Sequence, residues 1–446
     1  MSIISGIKNS ENMGFDMRNI YLSFLGLGSF KKNMEQYVYD ETVYELNGKK
    51  SGKTEFVQVA EIRILGACSF DKIIIVTTQK AHDTHFENLK SQLLQAGAKN
   101  ISHLIINEEM TPEAQWKWFE QILEVIESGD NLTIDLTHGY RSIPIIFSTA
   151  VNFLQKARDI TLNAVYYGAF EKEKKLAPII NMKDFYIINE WAEAVSRLVE
   201  DADARKVAEA ASKSDPFQAG ELRDHELIAA FEDLTNAVRN VDIHNVPEKA
   251  AKTIQLIENK EKNASITGEI LLKLITDKFT SITADKSLSG KYDKAYFDIQ
   301  LEIIRLLLEH KLFMQAYTAM REFIGSIGLI RIEKAKINSS DGRKLRRRFA
   351  EVFVRMLQKE ESGWRFEDQA KKDKEKLMPY YENLKSLGIE SVLREFTKDL
   401  VNHRNGFDHA WSSKSKAYPD IEEKGQQFFK NLKKIVRLLE KNKILI

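Results

Sequence analysis

The first 190 residues alternate between two hydrophobic periods, and nothing constrains the fold more. Short runs rich in β-branched and aromatic residues recur as IYLSFLGLG (20–28), KIIIVTT (72–78), ISHLII (101–106), LTIDLT (132–137) and LNAVYYG (162–168). Between them lie segments of helical spacing: TEFVQVAEIRIL (54–65), HFENLKSQLLQAG (85–97), PEAQWKWFEQILEVIES (112–128) and PIIFSTAVNFLQKA (144–157). Strands that alternate with helices of this length predict βαβ units and a parallel sheet covered on both faces. Residues 36–53, QYVYDETVYEL followed by NGKKSG, break the alternation and read as an excursion or hairpin at the sheet edge. After about residue 185 the strand signals stop, and segments such as WAEAVSRLVEDADARKVAEAA place apolar residues at helical spacing to the end of the chain. The expected architecture is therefore a Rossmann-like α/β domain followed by an all-α half. Its expected divisions are 17–185, a helical connecting region over 186–292, and a terminal helical domain over 293–446.

The segment NLTIDLTHGYRSIP (131–144) raises the first functional question. An apolar strand runs into Asp135, Thr137, His138, Gly139, Tyr140 and Arg141, and a helix start, Ser142-Ile143-Pro144, follows at once. Ligands of open parallel sheets bind beyond the carboxyl ends of the strands, where the strand order reverses. A hydroxyl cap with proline in the first turn marks a helix N-terminus whose free N–H groups favour anions. Arg141 adds a planar cationic fork and Gly139 allows close backbone approach. The combination predicts a phosphate-bearing ligand, against the plainer reading of a capped turn. Other strand ends contribute Gly26, Leu27, Gly28 and Ser29 after the first strand, Thr77, Thr78 and Gln79 after the second, and Tyr167 and Gly168 in a later one. The glycines do not complete a dinucleotide fingerprint, because Lys31 stands at the third position. NGKKSGKT (47–54) imitates a phosphate-binding loop, but Asn47 stands where the first glycine is required, so a solvated basic turn is expected there.

A second constellation is LVNHRNGFDHAW (400–411), with Arg404, Asn405 and His409. Residues five apart on a regular helix splay by roughly 140°. Asn405-Gly406 is a break signal, so the helix is expected to end or distort there. Arginine stabilises charge on a phosphate, and histidine moves protons near neutrality. The plain alternative is an Arg404–Asp408 pair at helical spacing. Upstream, residues 310–329 read as an amphipathic helix. Lys334, Lys336, Arg343, Lys344, Arg346, Arg347 and Arg348 form a basic cluster suited to a nucleic-acid backbone, or equally a solvated helix face.

Composition narrows the classes. Of 446 residues 43% are hydrophobic, enough for real cores, while a formal net charge of +1 means that any nucleic-acid site must be a local patch. A single cysteine, Cys68, excludes a disulfide framework and fits a reducing, cytoplasmic setting. No apolar run approaches the roughly 18 residues of a membrane span, and the first residues carry no secretory signature.

The two constellations together resemble one family, the CRISPR-associated ribonucleases of type III systems that join a CARF sensor domain to a HEPN nuclease domain. The resemblance rests on YLSFLGLGSF, TEFVQVAEIRIL, IDLTHGYRSIP, VYYGAFE and RNGFDH; residues 190–290 are least diagnostic. It implies a CARF domain that binds a cyclic oligoadenylate, with cyclic tetra-adenylate the expected ring, and homodimers in which one ring spans both subunits. It further implies paired HEPN domains that cut single-stranded RNA without metal, leaving a 2′,3′-cyclic phosphate and a 5′-hydroxyl. On this resemblance Arg404 and His409 are catalytic and Asn405 is a positioning residue. The strand-end residues line the second-messenger pocket, and no resident cofactor or membrane partner is expected. A nucleotide-binding sensor with an inert helical half is the second reading. A sensor domain that also slowly cleaves its own ligand is a third.

Overall fold

The computed structural model describes residues 17–109, 111–138, 143–171, 174, 176–213, 220–283, 290–337, 339–411 and 420–445. The chain divides into two compact units, Met1–Ile187 and Ile188–Ile446, with the boundary inside the helix Lys183–Asp201.

Among the described residues of the first unit ten strands form: β1 (Asn19–Leu25), β2 (Ser29–Lys31), β3 (Gln36–Val38), β4 (Thr42–Leu46), β5 (Lys49–Thr54), β6 (Lys72–Thr78), β7 (Ile101–Ile106), β8 (Asn131–Asp135), β9 (Thr161–Gly168) and β10 (Leu176–Asn181). Eight make one sheet in the order β5-β4-β10-β9-β8-β1-β6-β7, while β2 and β3 pair apart from it. β1 is central and parallel to both β6 and β8, with Tyr21 beside Ile73 and Ser23 beside Asp135. The chain builds outward from β1 through β6 to β7, then returns to place β8 on β1's other side. The strand order therefore reverses between β1 and β8.

Each β1 residue from Ile20 to Leu25 is buried, because both sheet faces are covered. Ile20, Leu22 and Phe24 point to a core with Ile74, Val76, Leu132, Ile134, Trp118, Phe147 and Val151, under the helices Pro112–Val125 and Ile143–Ala157. Tyr21 and Leu25, one step out of phase, point to Phe56, Val59, Ile62, Ile73, Leu89 and Leu93, under Val57–Leu65 and Glu87–Gln95. This alternation is the period of two expected of a strand.

Two boundaries and one strand differ from the sequence expectation. β1 stops at Leu25 and β8 at Asp135, so Gly26-Leu27-Gly28 and Leu136-Thr137 of the expected strands belong to turns. β10 was not anticipated; it runs antiparallel to β9 and parallel to β4, which makes the sheet mixed rather than parallel. The excursion at 36–53 becomes the antiparallel β4–β5 hairpin at the sheet edge. Its turn is Asn47-Gly48, both with positive φ (50° and 79°), as a two-residue hairpin turn of primed type requires. The residues that imitate a phosphate loop are thus strand and hairpin.

The described residues of the second unit beyond the shared helix are helical and irregular, without strands. The helix Phe313–Ile327 is its centre, packed by Lys294–Glu309, Ser340–Gln358, Ile389–Asp408 and Ile421–Lys441. The amphipathic helix read over 310–329 is found here. Ala316, Tyr317, Ala319, Met320, Phe323, Ile324 and Ile327 are buried along one face, at the spacing of three and four expected of such a helix, while Met314 on the opposite side is exposed.

Candidate functional site

The turns that leave β1 and β8 meet at the switch in strand order. The backbone of Gly26 lies against the His138 carbonyl, where an added Cβ would approach to 3.2 Å. Gly28 has φ +68°, and a Cβ there would stand 2.6 Å from the Val38 carbonyl oxygen, so the turn into β2 demands glycine. Leu27 is held through its carbonyl, which accepts from His85 Nε2 at 3.0 Å. Ser29 is exposed and opens the β2–β3 hairpin.

Beneath this lip the polar residues are largely spent on one another. Asp135 is fully buried and accepts from Ser23 Oγ (2.6 Å), from the Thr137 N–H (2.9 Å) and from the Thr137 hydroxyl. Burial raises its pKa, and the bonds from Ser23 and Thr137 oppose the shift. Thr137 Oγ1 in turn accepts from the Gly168 N–H at 2.8 Å, which fastens the end of β8 to the end of β9. Thr77 is buried and donates to the Leu25 carbonyl at 3.2 Å, and Thr78 caps the helical turn that starts at Gln79. Asp135, Thr77 and Thr78, expected on the pocket lining, are thus buried structural ties that shape the lip from below. Gln79 is exposed and bonded to Asp83, and Tyr167 is 45% exposed on β9. Gly139, Tyr140 and Arg141 lie outside the described residues.

His138 is the group at the lip with unspent capacity. Its ring packs against Tyr39 at 4.7 Å between centroids, and Tyr39 also contacts His85 (5.1 Å) and Phe56 (5.4 Å). His138 Nε2 is buried without a partner among the described residues. Burial, with His85 nearby, pushes its pKa down to about 4, so the imidazole is neutral at neutral pH. Glu61, also fully buried, accepts from Tyr21 Oη at 2.8 Å, and burial raises its pKa well above the usual carboxylate range. The β2–β3 hairpin stands beside these turns with Phe30 on Tyr37 (5.1 Å), Lys80 over the Tyr37 ring (4.8 Å), and Lys31 paired to Asp40 (2.5 Å).

The second unit holds a cleft of about 880 Å³. Arg343, Arg346, Arg347, Arg348 and Arg355 enter it from the helix Ser340–Gln358, Arg321 from the central helix, and Arg404 from Ile389–Asp408. Part of the charge is neutralised. Arg348 makes two bonds to Asp373 (3.0 and 2.6 Å), whose carboxylate is 1% exposed. Arg321 engages Glu322 and Glu351. The side chains of Arg343 and Arg347 are exposed and make no ion pair or hydrogen bond among the described residues. Lys334, Lys336 and Lys344, members of the same basic stretch in sequence, do not line the cleft.

The helix that carries Arg404 does not break at Asn405-Gly406. It continues to Asp408, and His409 is its C-cap. The Trp411 N–H then bonds to the Gly406 carbonyl (2.8 Å) and the Ala410 N–H to the Phe407 carbonyl (3.2 Å), with Ala410 in the left-handed region (φ 47°). This is a Schellman ending. The Trp411 indole folds back over Gly406, where a Cβ would meet it at 2.6 Å, so glycine makes room for the ring rather than ending the helix. Arg404 pairs with Asp408 and lies 3.4 Å from Asn405 Oδ1, so the plain helical pair does form. Arg404 Nε is buried without a partner among the described residues. The structure places Arg404 in the cleft; His409, one turn onward, is not among the residues that line it.

No known protein-family profile matches the chain. Over 290 residues, 64% of its length, it is 23% identical to the CRISPR-associated protein MJ1674 of Methanocaldococcus jannaschii. The chain spans 41% of the length of that relative. Among solved structures, Enterococcus italicus Csm6 bound to cyclic hexa-2′-fluoro-hexa-dAMP aligns over 95% of both chains at 12% identity, with a TM-score of 0.39. Among the described residues no helix is long and apolar enough to cross a membrane.

Sequence reasoning missed Tyr39, His85, Glu61 and Ser23 at the lip, and Arg321, Arg355 and Asp373 in the cleft. Ser23 and Glu61 carried a readable signal, since a polar residue inside a buried strand or on the apolar face of a helix needs a partner. Tyr39 and Arg321 carried none, because only the tertiary fold brings them to their sites.

Proposed function

We propose that this chain is a ribonuclease of CRISPR-associated defence, gated by a cyclic oligoadenylate and acting as a homodimer on single-stranded RNA. The observation that carries the reading is the arginine cleft. A protein of net charge +1 concentrates seven arginines around one cavity, and Arg404 of the Arg-x-x-x-x-His sequence is among them. Such a cavity attracts a phosphodiester backbone through charge neutralisation and counterion release. Similarity to a CRISPR-associated protein supports the same setting.

The chemistry requires three acts. A base takes the proton from the ribose 2′-hydroxyl, the 2′-oxygen attacks phosphorus, and the bond from phosphorus to the 5′-oxygen breaks as that oxygen gains a proton. In this reading Arg404 stabilises charge on the phosphate, Asn405 helps hold the Arg404 guanidinium, and His409 moves a proton. Two copies across a twofold axis supply two such sets. The cyclic oligoadenylate binds the switch-point lip, where Gly26, Leu27 and Gly28 offer close backbone approach and His138 an unused nitrogen. Ser29, Gln79 and Tyr167 flank it. Gly139, Tyr140 and Arg141, outside the described residues, are carried over from the sequence as its expected phosphate contacts. The ligand activates only by favouring one dimer arrangement over another. An apolar face on the helices Pro112–Val125 and Ile143–Ala157 supports self-association: Trp116 (65% exposed), Phe119, Ile145 and Phe153 lie on it, with Phe119 5.2 Å from Trp116 and 5.9 Å from Phe153.

The test is cleavage of a fluorescent single-stranded RNA in chelator, with cyclic tri-, tetra- or hexa-adenylate in separate reactions. Cleavage with one ring is expected, tetra-adenylate first. His409→Ala should lower the rate by about 10²- to 10⁴-fold while ring binding is unchanged. One observation favours a second reading, a nucleotide sensor with an inert helical half: Arg404 is already engaged by Asp408. Tight ring binding without cleavage by any ring would establish that reading instead.

A further inference from the structure

A second cavity, of about 450 Å³, shares the wall formed by Arg343 and Arg346 with the arginine cleft. The proposed cleavage chemistry makes no use of it. Its far walls are the turn Asp242-Ile243-His244-Asn245 and the residues Tyr292, Tyr296 and Gln300 at the start of the next helical layer. The volume is within the range of roughly 300–1,000 Å³ typical of small-ligand sites.

The chemistry of this cavity differs from that of the cleft. Tyr292 and Tyr296 meet edge to face at 5.0 Å, and the remaining polar groups away from the arginines are a carboxylate, two carboxamides and an imidazole. A carboxylate in the wall repels a phosphate inside the cavity. It suits a neutral flat ring whose edge presents N–H groups, with the phosphate left outside on the arginines. Asn245 Nδ2 donates to Asp242 Oδ2 at 2.8 Å, which fixes both side chains and leaves Asp242 Oδ1 and Asn245 Oδ1 as acceptors. A pair of fixed acceptors selects adjacent donors, and among the RNA bases guanine alone places a ring N–H beside an amino group on one edge. The shared wall also holds an unmet donor. Arg346 reaches Ser326 Oγ (3.5 Å) and Glu322 (3.6 Å), but its buried Nε has no partner among the described residues. That nitrogen has no exposed surface, so the group the shared wall offers a phosphate is the exposed guanidinium of Arg343.

We infer that this cavity receives an unpaired guanine base of the RNA strand, whose adjacent phosphate lies on Arg343, and so gives the cleft a sequence preference. The inference rests on the ribonuclease reading and names the nucleotide that the same surface selects.

The test uses the full chain and short fluorescent oligoribonucleotides blocked against cleavage by 2′-O-methyl groups. One is all uridine; three others carry a single central guanosine, adenosine or cytidine. Anisotropy titrations should show the guanosine probe binding about tenfold tighter than the uridine probe, within the range expected of a bidentate base contact. Asp242→Asn keeps size and fold but replaces an acceptor by a donor, and should erase the preference while uridine binding stays unchanged. Asn245→Ala should do the same. Arg347→Ala, outside the cavity, should weaken all four probes alike. Equal binding of all probes, or a guanosine preference that survives both Asp242→Asn and Asn245→Ala, overturns the pocket and leaves the ribonuclease reading intact. Failure of every probe to bind, with cleavage also absent, overturns both.

Discussion

At the lip of the sheet, Asp135 is answered by Ser23 and Thr137, Thr137 by Gly168, Thr77 by Leu25 and Leu27 by His85. In the arginine cleft, Arg348 is answered by a buried Asp373, but Arg343 and Arg347 are exposed and find no side-chain partner among the described residues. Both regions are polar, and the difference lies in where the unspent capacity remains. Among its described residues the lip spends almost all of it internally and leaves a neutral imidazole and backbone atoms, which suits recognition by fit. The cleft leaves whole positive charges, which suits a phosphodiester backbone. The proposed function needs this contrast, since ring recognition must discriminate among small nucleotides and the cleft must accept a long strand.

The comparison is broken most severely by exchanging roles within the cleft. Arg348→Ala strands the buried Asp373 carboxylate, with Gln369 as its remaining partner at 3.0 Å. The expected loss is about 3 kcal/mol of stability in the second unit, the scale for removing one side of a buried pair. Arg347→Ala removes an exposed side chain without a partner and should change stability by less than about 0.5 kcal/mol. Its effect should appear as weaker RNA binding with a shallower salt dependence. Urea unfolding of both variants beside salt titrations of RNA affinity separates the two. Equal stability losses would mean that Arg347 is structural and that the cleft is answered internally like the lip.

The lip's contrast is sharpened by pH. The folded pKa of His138 is lowered to about 4 from an ordinary value near 6.5, so the folded state resists the proton that the unfolded chain accepts. Stability tied to the neutral ring is therefore fully present above pH 6.5 and lost as pH falls toward 4. A shift of this size corresponds to about 3 kcal/mol. Glu61 and Asp135, with raised pKa values, slope the other way in the same window, but they do so equally in wild type and in His138→Gln. The stability difference between the two proteins, read by amide exchange in β1 and β8 at pH 7 and pH 4.5, isolates His138. Wild type should lose ground to the variant on acidification. A difference independent of pH would mean that the ring is solvated and the lip more open than the contacts of Tyr39 imply.

How much of this was legible depends on how far apart the cooperating residues lie. β6 and β7 were readable to the residue, and β1, β8 and β9 to within three, because a strand buried on both faces must be a run of apolar residues. β10 was not, because LAPIIN is short, contains Pro178, and takes its place from β4, more than 130 positions earlier. The site divides the same way. Residue types at 135, 137, 77 and 78 announced a polar lip, yet whether each hydroxyl faces a ligand or a neighbouring strand depended on Ser23, Leu25 and Gly168. The basic run at 343–348 announced a phosphate surface, but only the packing of two helices brings Arg404 to it and leaves Lys344 outside.

The smallest expected effect concerns the helix end that carries His409. Ala410 adopts φ 47°, a left-handed conformation that costs an L-residue roughly 1–2 kcal/mol and glycine almost nothing. Ala410→Gly should therefore stabilise the second unit by somewhat less than 1 kcal/mol, since glycine also gains freedom in the unfolded chain. The two hydrogen bonds of the Schellman ending and the Trp411 indole over Gly406 are untouched by the change, so the position of His409 should be kept. Gly406→Ala is the matching opposite: a methyl group must displace the indole, which frees the turn while leaving Arg404 on its helix. If His409 acts from the place this turn gives it, cleavage in Ala410→Gly should match wild type, and cleavage in Gly406→Ala should fall several-fold at unchanged RNA affinity. Equal cleavage in both variants would mean that His409 does not act from the place its own helix end gives it.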